Sequence, residues 1–102
     1  MRHKFNAIRT DRQGIKFDSK AEAKYFDQLT LLQKSGQVVF FLRQVGFDLP
    51  GKVRYFCDFL VFHADGSCEV IDIKGMDTPI SKAKRKMVED IYPVKIKIIG
   101  PS

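Results

Sequence analysis

The sequence predicts an α/β fold in which one helix is followed by three strands, a second helix and a fourth strand. Two segments have apolar residues at helical spacing, each after an N-cap signal, and three others are rich in β-branched and aromatic residues. The 102 residues match the size of one compact domain. We therefore expect a single domain over residues 1–102, with a mixed four-stranded sheet flanked by helices.

The first predicted element is a basic N-terminal arm over residues 1–18. Its positive side chains include Arg9, Arg12 and Lys16. Gly14 indicates a turn that would allow a short hairpin within the arm. No apolar segment follows the charges, so we expect no signal peptide.

The first helix is predicted over residues 20–34. Ser19 followed three residues later by Glu22 makes a capping box at its start. Apolar residues then recur at helical spacing, and Gly36 ends the helix.

Three strands are predicted next, over residues 38–47, 53–62 and 68–74, because branched and aromatic residues dominate all three. A second helix is predicted over residues 79–91. Its signals are the N-cap and N1 pair Thr78-Pro79 and an apolar stripe formed by Ile80, Ala83, Met87 and Ile91. The last strand, 94–99, should lie parallel to the third, since a strand–helix–strand connection is a right-handed crossover.

Two charged residues, Asp72 and Lys74, interrupt the apolar run of the third strand. Since side chains alternate across a strand, both point to one face, where charges are rarely buried without a partner. The preceding turn decides what lies opposite. A three-residue loop with Gly66 left-handed sets Asp58 opposite Asp72, whereas a two-residue loop sets Asp58 opposite Ile73, on the other face. We predict the three-residue loop.

Two carboxylates directly opposite each other destabilise a sheet unless a positive charge intervenes. A divalent cation is one answer, because Mg²⁺, or Mn²⁺ in its place, would suit Asp58, Asp72 and the carbonyl of Ile73. A structural salt bridge between Lys74 and Asp58 is the other answer. Beside a metal, Lys74 would position an attacking water or stabilise charge on a phosphate oxygen.

These residues resemble the motif of a nuclease superfamily. Asp58 and the sequence Asp72-Ile73-Lys74, after a helix that carries Glu22, resemble the PD-(D/E)XK nucleases. The restriction-endonuclease-like core of that superfamily has the same α-β-β-β-α-β order. Most of the chain is also similar to a group of small phage-encoded endonuclease-like proteins, some of them Holliday-junction resolvases. The similar segments are "GIKFDSKAEAKYF", "RQVGFDL", "YFCDFLVF", "IDIKG" and "SKAKRKMVEDIYPVKI".

The resemblance implies a Mg²⁺-dependent endodeoxyribonuclease that hydrolyses phosphodiester bonds in branched or junction DNA. By that resemblance, Asp58 and Asp72 would ligate the metal and Lys74 would serve the nucleophilic water. Glu22 would be the acid on the first helix that contacts a water on the metal.

Three positions qualify the resemblance. Cys57 stands where the superfamily motif has proline, a position that varies. Glu22 is already explained by its place in the capping box, and the two roles are compatible. Gln44 matches a glutamine of the resembling group and would touch the site or a phosphate, although such a residue often only ends a strand.

The charge of the chain favours a polyanionic partner, since the formal net charge is +6. We expect recognition of the DNA backbone and shape, with little base readout. The candidate DNA-binding residues are Arg9, Arg12, Lys16, Lys82, Lys84, Arg85 and Lys86. Two alternatives stay open: a non-catalytic nucleic-acid-binding protein of this fold, and a nuclease subunit directed by a targeting protein.

Assembly and location complete the expectations. Cutting two strands needs two active sites, which a homodimer would supply. Its predicted contacts are the aromatic residues Phe40, Phe41, Tyr55 and Phe59. No apolar run reaches the roughly 18 residues that span a bilayer, so we expect no membrane partner and a cytoplasmic protein, in the host cytoplasm if a phage encodes it.

Overall fold

The structure, a computed structural model, describes residues 10–12, 14–75 and 77–100. The predicted α/β class and the order of its helices and strands are confirmed, and the short hairpin that Gly14 indicated lies before the first helix. The elements are β1 (Thr10–Arg12), β2 (Ile15–Phe17), α1 (Lys20–Lys34), β3 (Val38–Leu49), β4 (Val53–His63), β5 (Cys68–Ile73), α2 (Pro79–Ile91) and β6 (Ile96–Ile99).

The main sheet has four strands in the order β3-β4-β5-β6. The pairs β3–β4 and β4–β5 are antiparallel, and β5 and β6 are parallel. The predicted parallel alignment of the last two strands is therefore confirmed. Strands β1 and β2 form a separate two-stranded hairpin.

Both helices begin where their capping signals predict. The Ser19 hydroxyl accepts a hydrogen bond from the Glu22 backbone N–H at 3.1 Å, and the Thr78 hydroxyl accepts one from the Ser81 N–H at 3.1 Å. Each bond satisfies one of the N–H groups that a first helical turn leaves without a partner. Neither helix in the described part of the chain is long and apolar enough to cross a membrane.

The first hydrophobic core lies between α1, the β1–β2 hairpin and the sheet. Its buried residues are Phe17, Ala23, Phe26, Leu29, Val38, Phe59, Val61 and Ile71. Phe17 is fully buried, so the end of the predicted arm belongs to this core. Arg9 and the side chain of Arg12 lie outside the described residues.

A second core forms around α2 because the long β3–β4 hairpin changes faces along its length. Phe59 belongs to the first core, but Cys57 and Tyr55, which would share its face in a regular strand, pack with Val70 and Val88. The change occurs opposite Gln44, whose φ of +52° is left-handed. Here the regular alternation assumed from the sequence is wrong.

The two cores together overturn most of the predicted dimer contacts. Tyr55 and Phe59 are 5% and 0% exposed, and Phe41 packs partly buried against the first core. Phe40, at 42% exposure, is the one of the four that faces solvent. Phe41 and Phe59 are covered by the first core beneath α1, and Tyr55 is covered by the second core with Val88 of α2.

The helix α2 is rotated relative to its apolar stripe. Ile80, Met87 and Ile91 are 70%, 37% and 50% exposed, whereas Val88 is fully buried. The stripe, which includes the exposed Ala83, therefore remains on the surface of the protein.

Candidate active site

The turn between β4 and β5 has the predicted three-residue form. His63 and Ser67 flank it, with the His63 N–H donating to the Ser67 carbonyl at 2.9 Å, and Gly66 has a φ of +92°. The pairing then runs through Phe62 with Cys68 to Phe59 with Ile71. The predicted register is confirmed, and the next residues along the two strands are Asp58 and Asp72.

The backbone pairing of β4 and β5 gives way at these aspartates to side-chain hydrogen bonds. Oδ1 of Asp72 accepts from the Asp58 N–H at 3.1 Å, and Oδ2 of Asp58 accepts from the Ile73 N–H at 2.7 Å. Each carboxylate is thus bonded to the backbone of the opposite strand. The two carboxylates are fixed side by side where the strands stop pairing.

One oxygen of Asp72 is buried and receives no hydrogen bond from the described residues. The residue is 1% exposed, and its Oδ2 is buried without a hydrogen-bond partner among the described residues. Burial raises the pKa of this carboxyl, against the opposing charge of Lys74, whose Nζ lies 3.8 Å from Oδ2. A buried carboxylate oxygen in this state is strongly attracted to any further positive charge.

Gln44 joins α1 to the aspartate pair. Its Nε2 donates to Oε2 of Glu22 at 3.2 Å and to Oδ1 of Asp58 at 3.1 Å. The left-handed backbone of Gln44 lies at the point where the hairpin changes faces, so its backbone strain coincides with the site. The structure therefore brings together Glu22, Asp58, Asp72, Lys74 and Gln44.

Glu22 is more than a helix cap. The residue is 7% exposed, and burial, followed by the charge of Asp58, raises the pKa of its carboxyl. Its carboxylate lies on the β3 side of α1, where it contacts Gln44. The Glu22 backbone N–H donates to the capping hydroxyl of Ser19 while the Glu22 side chain contacts Gln44, so a place in the first helical turn and a place in the site are compatible in this geometry.

Arg43 is a site residue that the sequence interpretation missed. Its Nη2 lies 3.8 Å from Oε2 of Glu22, and its guanidinium lies 4.4 Å from the centre of the Phe17 ring. The Nε atom is buried without a hydrogen-bond partner in the described part of the chain. The available signal was a charged residue beside Gln44 inside an otherwise apolar strand.

The predicted DNA-binding residues of α2 differ in their availability. Arg85 donates two hydrogen bonds to Asp77, one at 2.9 Å, and these bonds lower the pKa of the Asp77 carboxyl. The Arg85 side chain is 12% exposed, so it anchors the segment after β5. Lys82 and Lys86 are exposed and Lys84 is half-buried, while Lys16 on β2 is exposed.

The donor set fits a hard divalent cation of the Mg²⁺ type. Asp58 and Asp72, with the carbonyl of Ile73, would supply oxygen ligands, and Oδ2 of Asp72, which has no hydrogen-bond partner among the described residues, has the charge that such an ion requires. Within residues 10–12, 14–75 and 77–100, no cluster of three or more His, Cys, Asp or Glu side chains is arranged to hold a metal. The fit therefore rests on two carboxylates, a number that Mg²⁺ accepts when water and substrate complete its shell. The ammonium of Lys74 pairs with Asp72, not with Asp58 as the salt-bridge alternative supposed.

Fold and site define an α/β protein with two carboxylates and a lysine at the end of a paired strand segment. The chain belongs to the DUF1064 family, described as proteins of unknown function, and the family model matches residues 2–100. No curated protein matches the sequence. The whole candidate site lies within the matched region.

Proposed function

We propose that the protein is a metal-dependent endonuclease that hydrolyses phosphodiester bonds of DNA, with branched or junction DNA as its substrate. The observation that carries the proposal is the buried Oδ2 of Asp72, which has no hydrogen-bond partner among the described residues and lies 3.8 Å from the Lys74 ammonium. Adjacent carboxylates with a lysine beside them suit metal-assisted hydrolysis. The resemblance to the PD-(D/E)XK nucleases supports the same assignment.

Asp58, Asp72 and the carbonyl of Ile73 would hold Mg²⁺, with Mn²⁺ as a substitute. When bound, the ion supplies positive charge that acidifies water and neutralises phosphate oxygens. The Lys74 ammonium, a quarter exposed, can donate a hydrogen bond to the attacking water or to a phosphate oxygen. At the edge of the buried pair, Lys74 contacts Asp72 and would also contact the substrate.

Glu22, Gln44 and Arg43 would support this centre from the side of α1. Gln44 holds the Glu22 and Asp58 carboxylates around one amide nitrogen, which fixes their separation. Because burial and Asp58 raise the pKa of Glu22, its carboxyl is suited to take up a proton near the reacting phosphate. Arg43, 3.8 Å away, limits that rise.

The surface suits a DNA backbone. Lys82 and Lys86 are exposed on α2, which begins shortly after Lys74, and Lys16 is exposed on β2. Lysines placed in this way neutralise phosphates without reading bases. DNA as substrate is consistent with the expected cytoplasmic location, and a homodimer would supply the second site that two-strand cleavage needs.

The test compares plasmid, linear duplex, single-stranded and four-way-junction DNA, each with Mg²⁺, Mn²⁺ or EDTA. The proposal expects metal-dependent cleavage that is strongest on the junction and absent in EDTA and in Lys74→Ala. Lys95→Ala, which changes an exposed lysine before β6, serves as the matched control and should cut normally. Cleavage by Lys74→Ala at the wild-type rate, or no cleavage of any substrate, would overturn the proposal.

Two other functions have some support. The exposed lysines Lys82 and Lys86 would equally serve a non-catalytic nucleic-acid-binding protein of this fold, which would bind junctions without cutting them. The exposed α2 stripe around Met87 and Ile91 favours a protein contact, either a second copy or a targeting protein that directs the nuclease.

A further inference from the structure

A pocket of about 410 Å³ opens beside the candidate active site, between α1 and the ends of β5 and β6. Lys24, Tyr25 and Gln28 line it from the helix. Lys74 lines it from the sheet, together with Ile73 and Ile99. Because the Lys74 ammonium also lies 3.8 Å from Asp72, the pocket and the carboxylate pair share a residue.

The walls of this pocket differ in chemistry. Tyr25, Ile73 and Ile99 are half-buried, pack against the first core and form an apolar wall of the pocket. Lys24 and Gln28 are exposed at the helix surface and supply a cation and an amide. An apolar wall suits the flat face of a base, a lysine suits a phosphate, and an amide can hydrogen-bond a base edge. The volume lies in the range of small-ligand sites.

We propose that this pocket holds one unpaired nucleotide of the DNA strand whose adjoining phosphate lies at the carboxylate pair. The inference rests on the proposed nuclease function and adds the reason for its substrate choice. A base within a duplex cannot enter a pocket without leaving the stack, whereas junctions and flaps present bases that are already unpaired. Lys74, shared by pocket and site, fixes the bound nucleotide relative to the reacting phosphate.

Binding measured in EDTA tests the pocket without cleavage. The wild type should bind a duplex with one unpaired nucleotide about tenfold more tightly than the fully paired duplex of equal length. Ala21→Leu fills the pocket from an exposed position on its lining, and Lys24→Ala removes its cation. Both should lose the tenfold preference while their affinity for paired duplex changes less than twofold.

Matched controls make the same changes elsewhere. Ala83→Leu enlarges an exposed alanine on α2, and Lys34→Ala removes an exposed lysine from the last turn of α1. Both should keep the preference. Thermal unfolding of each variant establishes that it is folded. If Ala21→Leu does not fold, the result for Lys24→Ala decides the test.

The pocket proposal and the nuclease proposal can be refuted independently of each other. Equal wild-type affinity for both duplexes, or an undiminished preference in Lys24→Ala, overturns the pocket even where metal-dependent cleavage is observed. A preference lost in the pocket variants, in a protein that cuts no DNA, upholds the pocket and overturns the nuclease. A free mononucleotide that binds while the unpaired nucleotide adds nothing to DNA affinity also overturns the proposal.

Discussion

Asp72→Asn tests whether the buried carboxylate is held for a cation. The amide that replaces the carboxylate can keep the oxygen that accepts from the Asp58 N–H. The charge on the other oxygen, which is buried without a hydrogen bond from the described residues, disappears. An unpaired neutral group costs roughly 1–3 kcal/mol and an unpaired charged one costs more. We therefore expect the metal-free variant to be more stable than the wild type.

The magnitude follows from two opposing contributions. Removing the buried charge stabilises the fold, but the contact with Lys74, whose side chain is 24% exposed, is lost. Asp72 is buried but water screens the partly exposed Lys74 end, so we take the contribution of the pair to be about 1 kcal/mol, the upper end of the range for exposed pairs. A net gain of about 1 kcal/mol in the free energy of unfolding would raise the Tm by about 4–8 °C in a domain of this size.

The effect should depend on pH in a defined direction. Since burial raises the folded-state pKa of Asp72, the folded wild type takes up a proton more readily than the unfolded chain. Above that folded pKa the wild type bears the full penalty of the charge. As the pH falls through it, the penalty disappears, so the difference between the two proteins should shrink.

Urea unfolding in EDTA over a series of pH values measures the stability difference between the two proteins and its dependence on pH. The same measurement in Mg²⁺ gives the stabilisation of each protein by the cation. At a Mg²⁺ concentration about 100 times its Kd, the wild type should gain about 2.7 kcal/mol, and the variant much less. The reasoning is refuted if Asp72→Asn is the less stable protein in EDTA at neutral pH. Equal stabilisation of both proteins by Mg²⁺ refutes it as well.

Three further predictions concern catalysis, binding and assembly. Asp58→Ala and Lys74→Ala should each reduce DNA cleavage at least about 100-fold in a gel assay, a change of the order expected for single catalytic groups. Junction affinity should change less than about threefold in Asp58→Ala, because Asp58 does not line the pocket and the DNA-binding lysines are unchanged. Lys82→Ala and Lys86→Ala should weaken binding of all DNA sequences equally, and each should lower the slope of log binding constant against log salt concentration by about 0.9. An unchanged slope would mean that these lysines do not contact phosphates. Light scattering should give two chains per particle for the wild type and one for Ile91→Glu, since the exposed α2 stripe is the proposed dimer contact. One chain per particle for the wild type, both free and with junction DNA, would exclude the dimer.

Much of the site could be predicted because its signals are local. A hydrogen-bonding N-cap at Ser19 and the loop closed by Gly66 depend on residues within a few positions of each other. The loop length alone fixes the register, and the register sets Asp58 beside Asp72. Lys74 follows from the alternation of side chains along the same strand.

The rest could not be predicted because it depends on distant contacts. Arg43 and Gln44 join the site only because α1 packs over β3 and brings Glu22 to them. The rotation of α2 is set by the burial of Val88 and by the pairing of Arg85 with Asp77, so its apolar stripe faces outward against the sequence pattern. Periodicity identifies a helix but does not tell which neighbour it packs on.

The sequence by itself determined the α/β order, the helix starts and the pairing of the two aspartates, since short-range hydrogen bonding and side-chain alternation act along the chain. Only the tertiary structure decided where the β3–β4 hairpin changes faces, which aromatic residues are buried, and that one oxygen of Asp72 is enclosed without a hydrogen bond from the described residues. These features arise from packing between segments far apart in sequence, where the exclusion of water depends on the whole fold.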